Sequence, residues 1–331
     1  FVFGYEKDNP SDEFFKTRIL EQESSAADKY PETLYTANLM FAKEYFAKKL
    51  KNLSRERKEE IFDKAVNKLK FNYYEIDDSL DIYVTFETMN NRGKDLSHLE
   101  LLKNRLIYLS TLLHESDDTK SRLRKDINET WKTVYEYLGK NKENPLDDDV
   151  FLFNHWIMYY TYDRSQSDVY ADFLLKRKFT AKNVLNGLLT INDIKDYIDS
   201  LAKCVKKWYY IYNIEQSDYS DRIKEQIQKL DRVGMGAFPP MIMAVFIKES
   251  REDLIWDFLD ACERFNFLVF AISHRSSNTQ NSNIYRMTRE YYMGDTDIVT
   301  ITANIDFLTD GEDENYYRGW FDLERFRNHI K

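Results

Sequence analysis

The sequence predicts a mainly helical protein with one short β element near residue 80. The 331 residues include only nine glycines and five prolines, about 4% of the chain where about 12% is usual. These are too few turn formers for a sandwich, a barrel or an array of short strands. Most segments repeat apolar residues every three or four positions, which is typical of amphipathic helices. The chain is also long enough to bury a sizeable hydrophobic core without stabilising disulfides or metal ions.

Composition narrows the class of protein. Cys204 and Cys262 are the only cysteines, which excludes a disulfide framework and a thiolate zinc site and favours a reducing, cytoplasmic compartment. No run approaches 18 consecutive apolar residues, so we expect no membrane span. The net charge of −9 is concentrated between Glu290 and Asn315, where eight acids occur without a lysine or arginine. Net charge is therefore weak evidence against a polyanionic partner, because binding depends on local patches.

The first seventy residues predict three helices. Asn9-Pro10-Ser11, followed by two acids, is a typical helix start. Apolar residues at three- and four-residue spacing after Pro31 predict an amphipathic helix that runs to Leu50. A highly charged helix from Ser54 to Leu69 follows. The residues expected to form its buried stripe are Ile61, Ala65 and Leu69.

A short β element comes next. Phe71–Ile76 and Asp81–Thr88 are rich in aromatic and β-branched residues and predict two strands joined by an acidic turn. The polar loop Asn90–Asp95 then leads to Ser97 and Glu100, which have the spacing of a capping box. A strand, a glycine-containing loop and a helix start in succession can present unpaired backbone N–H groups to an anion. An ordinary strand-to-helix connection has the same pattern, so both interpretations stay open.

Nearly all of the remaining chain is predicted to be helical. The expected helices are residues 119–138, 147–162, 168–176, 192–212, 219–230, 238–249, 252–273, 282–293, 297–308 and 319–330. The polar stretch Gly139–Pro145 interrupts them. We therefore predict two domains, residues 1–140 and residues 141–331.

The common catalytic and metal-binding motifs are absent from the sequence. The three acids Asp147-Asp148-Asp149 are interpreted as the acidic start of a helix rather than as a metal cluster. The polar stretch His274–Asn283 lies between two apolar helices and mixes arginine with serine, asparagine and glutamine, the side chains that hold phosphates and base edges. Arg275, Arg286 and Arg289 are therefore candidate ligands for DNA phosphates. An ordinary solvated loop is the competing interpretation.

One longer motif points to a family. Residues 86–97, FETMNNRGKDLS, with residues 101–104, LLKN, resemble the F-E-x-x-N-x-R-G-x-x-L-[ST] and L-[LI]-K-N signature of the DGQQR-motif proteins, a GmrSD-like family. Residues 1–20 and 263–279 also agree with the family pattern. Members of this family resemble type IV, modification-dependent restriction factors and related phage-defence proteins.

The resemblance implies the carboxyl-terminal part of a ParB/sulfiredoxin-like α+β domain, followed by an all-helical domain. It also implies a nucleoside triphosphate with a divalent metal as cofactor. The ParB box E-N-x-Q-R-x-D-L-x-x-x-E places its asparagine on Asn90, whereas Met89, Arg92 and Gly93 depart from it. Arg92 remains a reasonable phosphate ligand by its chemistry. The residues expected to face the nucleotide or its metal are Asn90, Asn91, Arg92 and Lys103.

The resemblance further implies a part of a DNA-restriction or phage-defence protein in which NTP binding and hydrolysis regulates recognition and cleavage of foreign, modified DNA. The DGQQR motif and the nuclease domain would lie before Phe1 and after Lys331, so we expect an internal portion that is inactive alone. The alternative is a non-enzymatic helical interaction or dimerisation module that links a sensor domain to a nuclease domain. The acidic segment from Glu290 to Asn315 fits this alternative, because it repels DNA and offers a docking face to a basic partner.

Overall fold

The computed structural model describes residues 12–23, 34–70, 96–162, 170–311, 319–321, 323 and 326–327. All regular secondary structure within these residues is helical, as the composition predicts. The expected strands at 71–76 and 81–88 lie outside the described residues, and the ParB-like α+β domain stays a prediction.

The amino-terminal part contains three helices. Helix α1 is Asp12–Phe14 and continues as a π-helical turn, Phe15–Ile19. Helix α2 is Leu34–Lys51, and α3 is Arg55–Asp63 with a π-helical turn, Lys64–Lys68, at its end. We refer to residues 34–70 as the arm.

The larger part, residues 96–311, is referred to as the body. Its first helices are α4 His98–Leu112, α5 Asp117–Leu138, α6 Asp148–Tyr159, α7 Tyr170–Asp172 with the π-helical turn Phe173–Lys178, and α8 Ala181–Leu185. The later helices are α9 Ile191–Tyr212, α10 Asp221–Val233, α11 Pro239–Lys248, α12 Glu252–Phe265 with the π-helical turn Asn266–Ile272, α13 Asn281–Met293 and α14 Ile298–Asp310. A 3₁₀ turn, Ile214–Gln216, follows α9.

The expected helices of the body are confirmed up to α14, with ends that differ by a few residues. Only three positions of the expected helix at 319–330 (residues 323, 326 and 327) are described as helical. Several starts follow from capping side chains, because the side-chain oxygens of Ser97, Ser116, Asp147, Thr190 and Asp297 each accept backbone N–H groups of the first turn.

The body is built around α9, which packs against α5 and α11. Helix α12 packs against α10 and α14, and α13 packs against α6 and α11. One hydrophobic core runs from Leu99 in α4 to Ile305 in α14, and it crosses residues 139–146, where a domain boundary was expected. Helices α4 and α5 therefore share a core with the helices that follow that stretch.

The stripe of α3 that was expected to be buried is exposed, so this prediction was wrong. Ile61 is 37% exposed and Leu69 is 63% exposed, and Ala65 is also exposed. Among the described helices, α3 contacts chiefly its own continuing turn, so within this part of the chain its apolar side has no helix against which a buried stripe could pack.

Gly236 in the link between α10 and α11 is sensitive to substitution. Its φ is +54°, and an added Cβ would lie 3.0 Å from Oδ1 of the buried Asn266. The Nδ2 of that side chain donates to the Gly234 carbonyl at 2.5 Å. We expect Gly236→Ala to lower the free energy of unfolding by about 2 kcal/mol, through backbone strain and displacement of Asn266.

The matched control is Gly187→Ala, where φ is +70° and nothing lies within 4 Å of an added Cβ. This variant carries the backbone strain alone, on the order of 1 kcal/mol. Urea denaturation of both variants measures the difference. Equal losses would show that the contact with Asn266 contributes nothing.

Candidate functional site

The described end of the motif in residues 86–104 is the start of α4. The Ser97 Oγ accepts from the Glu100 N–H at 3.2 Å, and the Glu100 Oε2 accepts from the Ser97 N–H at 3.0 Å. These two bonds form the capping box that the sequence predicts. The first turn of α4 is therefore fixed by its own side chains.

A carboxylate from α6 completes this helix start. The Asp149 Oδ1 accepts from the His98 N–H at 2.8 Å and from the Leu99 N–H at 3.4 Å. Its Oδ2 lies 2.9 Å from the His98 Nδ1. Asp149 thus satisfies two orphan donors of a helix that starts 51 residues earlier, and it does so with a charged acceptor.

The neighbouring carboxylate also reaches α4. The Ser97 Oγ donates to the Asp148 Oδ2 at 3.1 Å. We call the group Ser97, His98, Glu100, Asp148 and Asp149 the clasp, since it joins the start of α4 to the start of α6. Burial raises the pKa of Asp148 to about 6, with smaller contributions from the like charges of the nearby acids.

The pKa values of His98 and Asp149, the ion pair of the clasp, shift in opposite directions. The hydrogen bond that the His98 ring donates to Asp149 raises the pKa of His98. Burial raises the pKa of Asp149, but the hydrogen bond and charge of His98 and the two backbone N–H groups outweigh it, and the pKa of Asp149 is lowered. Both shifts favour the charged pair.

The helix start of α4 does not offer unpaired N–H groups to an external anion, and this part of the interpretation was wrong. The first two N–H groups bind Asp149, that of Glu100 binds the Ser97 side chain, and that of Leu101 binds the Ser97 carbonyl. An internal carboxylate occupies the position that a phosphate would take.

The interpretation of the three consecutive acids as the acidic start of a helix is confirmed, because Asp147 is the N-cap of α6 and Asp148 and Asp149 lie in its first turn. The Asp147 Oδ1 accepts from the Asp149 and Val150 N–H groups and caps α6. The side chains of Asp148 and Asp149 in addition converge on the start of α4. Sequence reasoning missed this pairing, since nothing in the spacing of two segments 50 residues apart indicates which helix start an acid caps.

Of the four residues expected to contact the nucleotide, only Lys103 lies in the part of the chain that the structure describes. Asn90, Asn91 and Arg92 lie outside the described residues. Lys103 is half-buried in the second turn of α4. In the described part of the chain, no group of three or more histidine, cysteine, aspartate or glutamate side chains is arranged to hold a metal ion.

The described residues at the start of α4 do not fit a triphosphate. Their N–H groups are occupied, and the three carboxylates of Glu100, Asp148 and Asp149 would repel its charge. The described residues at the start of α4 therefore leave any nucleotide contact of the motif to Lys103 and to residues outside the described part of the chain.

The three arginines expected at DNA all have partners within the chain. The Arg275 Nε donates to the Trp320 carbonyl at 3.2 Å, and its guanidinium lies over the Trp320 ring. The Arg289 guanidinium donates to the Tyr159 carbonyl at the end of α6. Arg286 is exposed and contacts Asn283 and Glu290 of its own helix.

A second polar cluster lies deep in the body. The His155 Nε2 is 2.9 Å from the Ser200 Oγ, which is 3.1 Å from the Tyr292 hydroxyl. His155 is fully buried, and burial lowers its pKa to about 3. A neutral, inaccessible histidine of this kind connects α6, α9 and α13 and is a structural feature of the core.

Comparison with known proteins identifies no relative: no protein-family model, no curated protein and no solved structure matches the chain. Among the described helices, none has the combination of length and apolar character that a bilayer span requires. The resemblance to the DGQQR-motif proteins therefore depends on the motif in residues 86–104 and the two shorter stretches alone.

Proposed function

We propose that the chain is part of a DNA-restriction or phage-defence protein, in which NTP binding and hydrolysis regulates recognition and cleavage of foreign, modified DNA. The observation that supports this most is the way the motif continues into the body. Residues 96–104 lead directly from the motif loop into α4, whose start is held to α6 by the clasp. A change at residues 90–95 would thus act directly on the body.

Helix α4, in which the motif ends, is packed firmly into the body. Leu99, Leu102 and Leu106 are fully buried, and burial of each stabilises the fold by about 2 kcal/mol. The Trp131 Nε1 of α5 donates to the Leu99 carbonyl at 3.1 Å. Such a connection suits a protein in which nucleotide occupancy controls a distant activity, because a chain of packed side chains can carry energetic coupling between two sites.

Substitution of Asn90 tests this proposal. We expect Asn90→Ala in the full-length protein to reduce NTP hydrolysis at least about 100-fold, because the motif asparagine would lose its contact with the nucleotide or its metal. Restriction of phage carrying modified DNA, measured by plaque counts, should be lost in parallel.

The matched control is Asn52→Ala, at an exposed asparagine between α2 and α3, which should leave both measurements unchanged. Unchanged hydrolysis in Asn90→Ala, in protein that melts like wild type, would reject the nucleotide site. Normal hydrolysis with lost restriction would reject the link between nucleotide and DNA.

A second candidate function is a non-enzymatic interaction module that links a sensor domain to a nuclease domain. It is favoured by the intramolecular partners of Arg275 and Arg289, which leave these guanidiniums poorly placed for phosphate. Titration of a fluorescent 20-base-pair duplex separates the two roles. Binding that weakens steeply with salt supports a DNA contact on this chain, and no binding at 50 mM salt supports the module.

A further inference from the structure

The arm carries large apolar side chains that face solvent. Eight of them are between 37% and 69% exposed. The most exposed are Phe41, Phe46, Phe62, Val66 and Leu69. Apolar surface on this scale marks an interaction site.

The arm is also strongly basic. Residues 34–70 contain ten lysines and arginines against five acids. Some are paired within the arm, as Arg55 is with Glu59. The lysines at the end of α2, Lys48, Lys49 and Lys51, are exposed, and among the described residues none of them has an ion pair. Two such arms would repel each other, so the partner surface has to be acidic as well as apolar.

The body presents a surface of this kind at residues 290–310, which we call the acidic face. This stretch contains five acids and no lysine or arginine. Met293 is 55% exposed and Val299 is 59% exposed. Apolar and acidic side chains are therefore interleaved there, as basic and apolar side chains are on the arm.

The link between α13 and α14 carries exposed acids, although nearby cations offset part of their charge. Lys248 donates to the Tyr291 and Tyr292 carbonyls. The hydrogen bond from the Thr300 N–H and, less strongly, the charge of Arg251 lower the pKa of Asp297. Arg264 pairs with Asp306 and Asp310 and offsets the charge farther along α14. Asp295 and Asp297 are exposed in the link, between Met293 and Val299. This link is a position at which basic side chains of the arm would gain a favourable charge interaction.

The area on the arm matches what a stable interface needs. Eight half-exposed large side chains at roughly 100 Å² each correspond to about 800 Å², the usual contribution of one partner to a specific interface. Two arms exchanged between two copies would bury about twice this area on each protomer, which is enough for a permanent dimer.

We propose that the chain forms a two-fold symmetric dimer in which the arm of each copy lies on the acidic face of the other. Each copy carries both an arm and an acidic face. A two-fold axis therefore pairs both arms with both faces, and no arm or face stays free to add a third copy. A duplex is a poorer occupant, because Val66 and Leu69 offer nothing to a phosphate backbone. This inference is independent of the nucleotide site.

Sedimentation equilibrium on the wild-type chain is the first test. We expect a dimer with a Kd of about 10 μM or lower at 0.1 M salt, because apolar burial and opposite charge act together. Dissociation should increase when salt is raised to about 0.5 M, since exposed ion pairs are screened.

Charge reversal supplies the specific test. The arm variant Lys48→Glu/Lys49→Glu/Lys51→Glu should raise the dimer Kd at least about 100-fold. The face variant Glu290→Lys/Asp295→Lys should weaken the dimer as well. Both sets in one chain should restore association to within about tenfold of wild type, because the charges are opposite again.

The matched control reverses the charge of three exposed lysines of the body, in the variant Lys132→Glu/Lys182→Glu/Lys203→Glu. This variant should leave the dimer Kd unchanged. A wild-type chain that stays monomeric at 100 μM, a dimer insensitive to the arm variant, or a failure of the combined variant to recover would each overturn the proposal. A monomer that binds a 20-base-pair duplex or anionic vesicles through the arm lysines would also overturn it, in favour of that partner.

Discussion

Asp149→Ala is expected to lower the free energy of unfolding by about 2 to 3 kcal/mol near pH 6. The variant leaves the His98 and Leu99 N–H groups without their acceptor and removes the charged partner of the His98 ring. Loss of a cap costs about 1 kcal/mol, and loss of a hydrogen bond between charged groups about 1.5 to 3 kcal/mol. Urea denaturation with circular dichroism measures the loss.

The stability lost in Asp149→Ala should decrease both when the pH is raised and when it is lowered from about 6. The pKa of His98 is raised, so its contribution is fully present below its ordinary pKa of 6.5 and is lost as pH rises through the raised value. The pKa of Asp149 is lowered, so its contribution is present above 3.8 and is lost as pH falls through the lowered value. The effect of Asp149→Ala is therefore largest between these limits and smaller at pH 9.

Asp148→Asn, one residue away, should have the opposite sign. Burial raises the pKa of Asp148 to about 6, so the charged form opposes folding above its ordinary value, and this cost grows as pH rises from about 4 to 6. With allowance for partial exposure and the helix dipole, the substitution should stabilise the fold by about 1 kcal/mol at pH 7 and by nothing near pH 4. If Asp148→Asn and Asp149→Ala lowered the free energy of unfolding by the same amount, the result would contradict the proposed geometry of the clasp.

The helices could be predicted because their signals are local. The serine and glutamate of the capping box at Ser97 lie three residues apart, and the apolar spacing of α9 repeats within each turn. The helix predicted at residues 252–273 ends where expected, but its change to π-helical winding after Phe265 was not predicted, because a π-helical turn leaves no clear mark in the spacing.

The clasp and the exposed arm could not be predicted, because both depend on what lies opposite in space. The pattern of Ile61, Ala65 and Leu69 has the period of a buried stripe, but periodicity identifies a face and not its partner. In the same way Asp149 looks like a residue that serves its own helix, and only the approach of α4 to α6 gives it two donors from elsewhere. The prediction of strands and a nucleotide site at residues 71–95 stays a prediction.

Arg289→Met is expected to destabilise the body by about 2 kcal/mol. The half-buried guanidinium donates to the Tyr159 carbonyl, the last residue of α6, and thereby joins α13 to the carboxyl end of that helix. A cation at this position also complements the helix dipole, and methionine fills similar space without a donor. A phosphate ligand without structural duties would instead be replaced at little cost to stability.

Arg286→Met is the matched control, on the same helix and three residues earlier. Arg286 is exposed, and its polar contacts among the described residues are with Asn283 and Glu290, so its loss should change stability by less than about 0.5 kcal/mol. Thermal melts and duplex titration of both variants together separate the two roles of these arginines. A large stability loss confined to Arg289→Met indicates a structural role, whereas equal losses of DNA affinity with unchanged melting would indicate that both side chains bind phosphate.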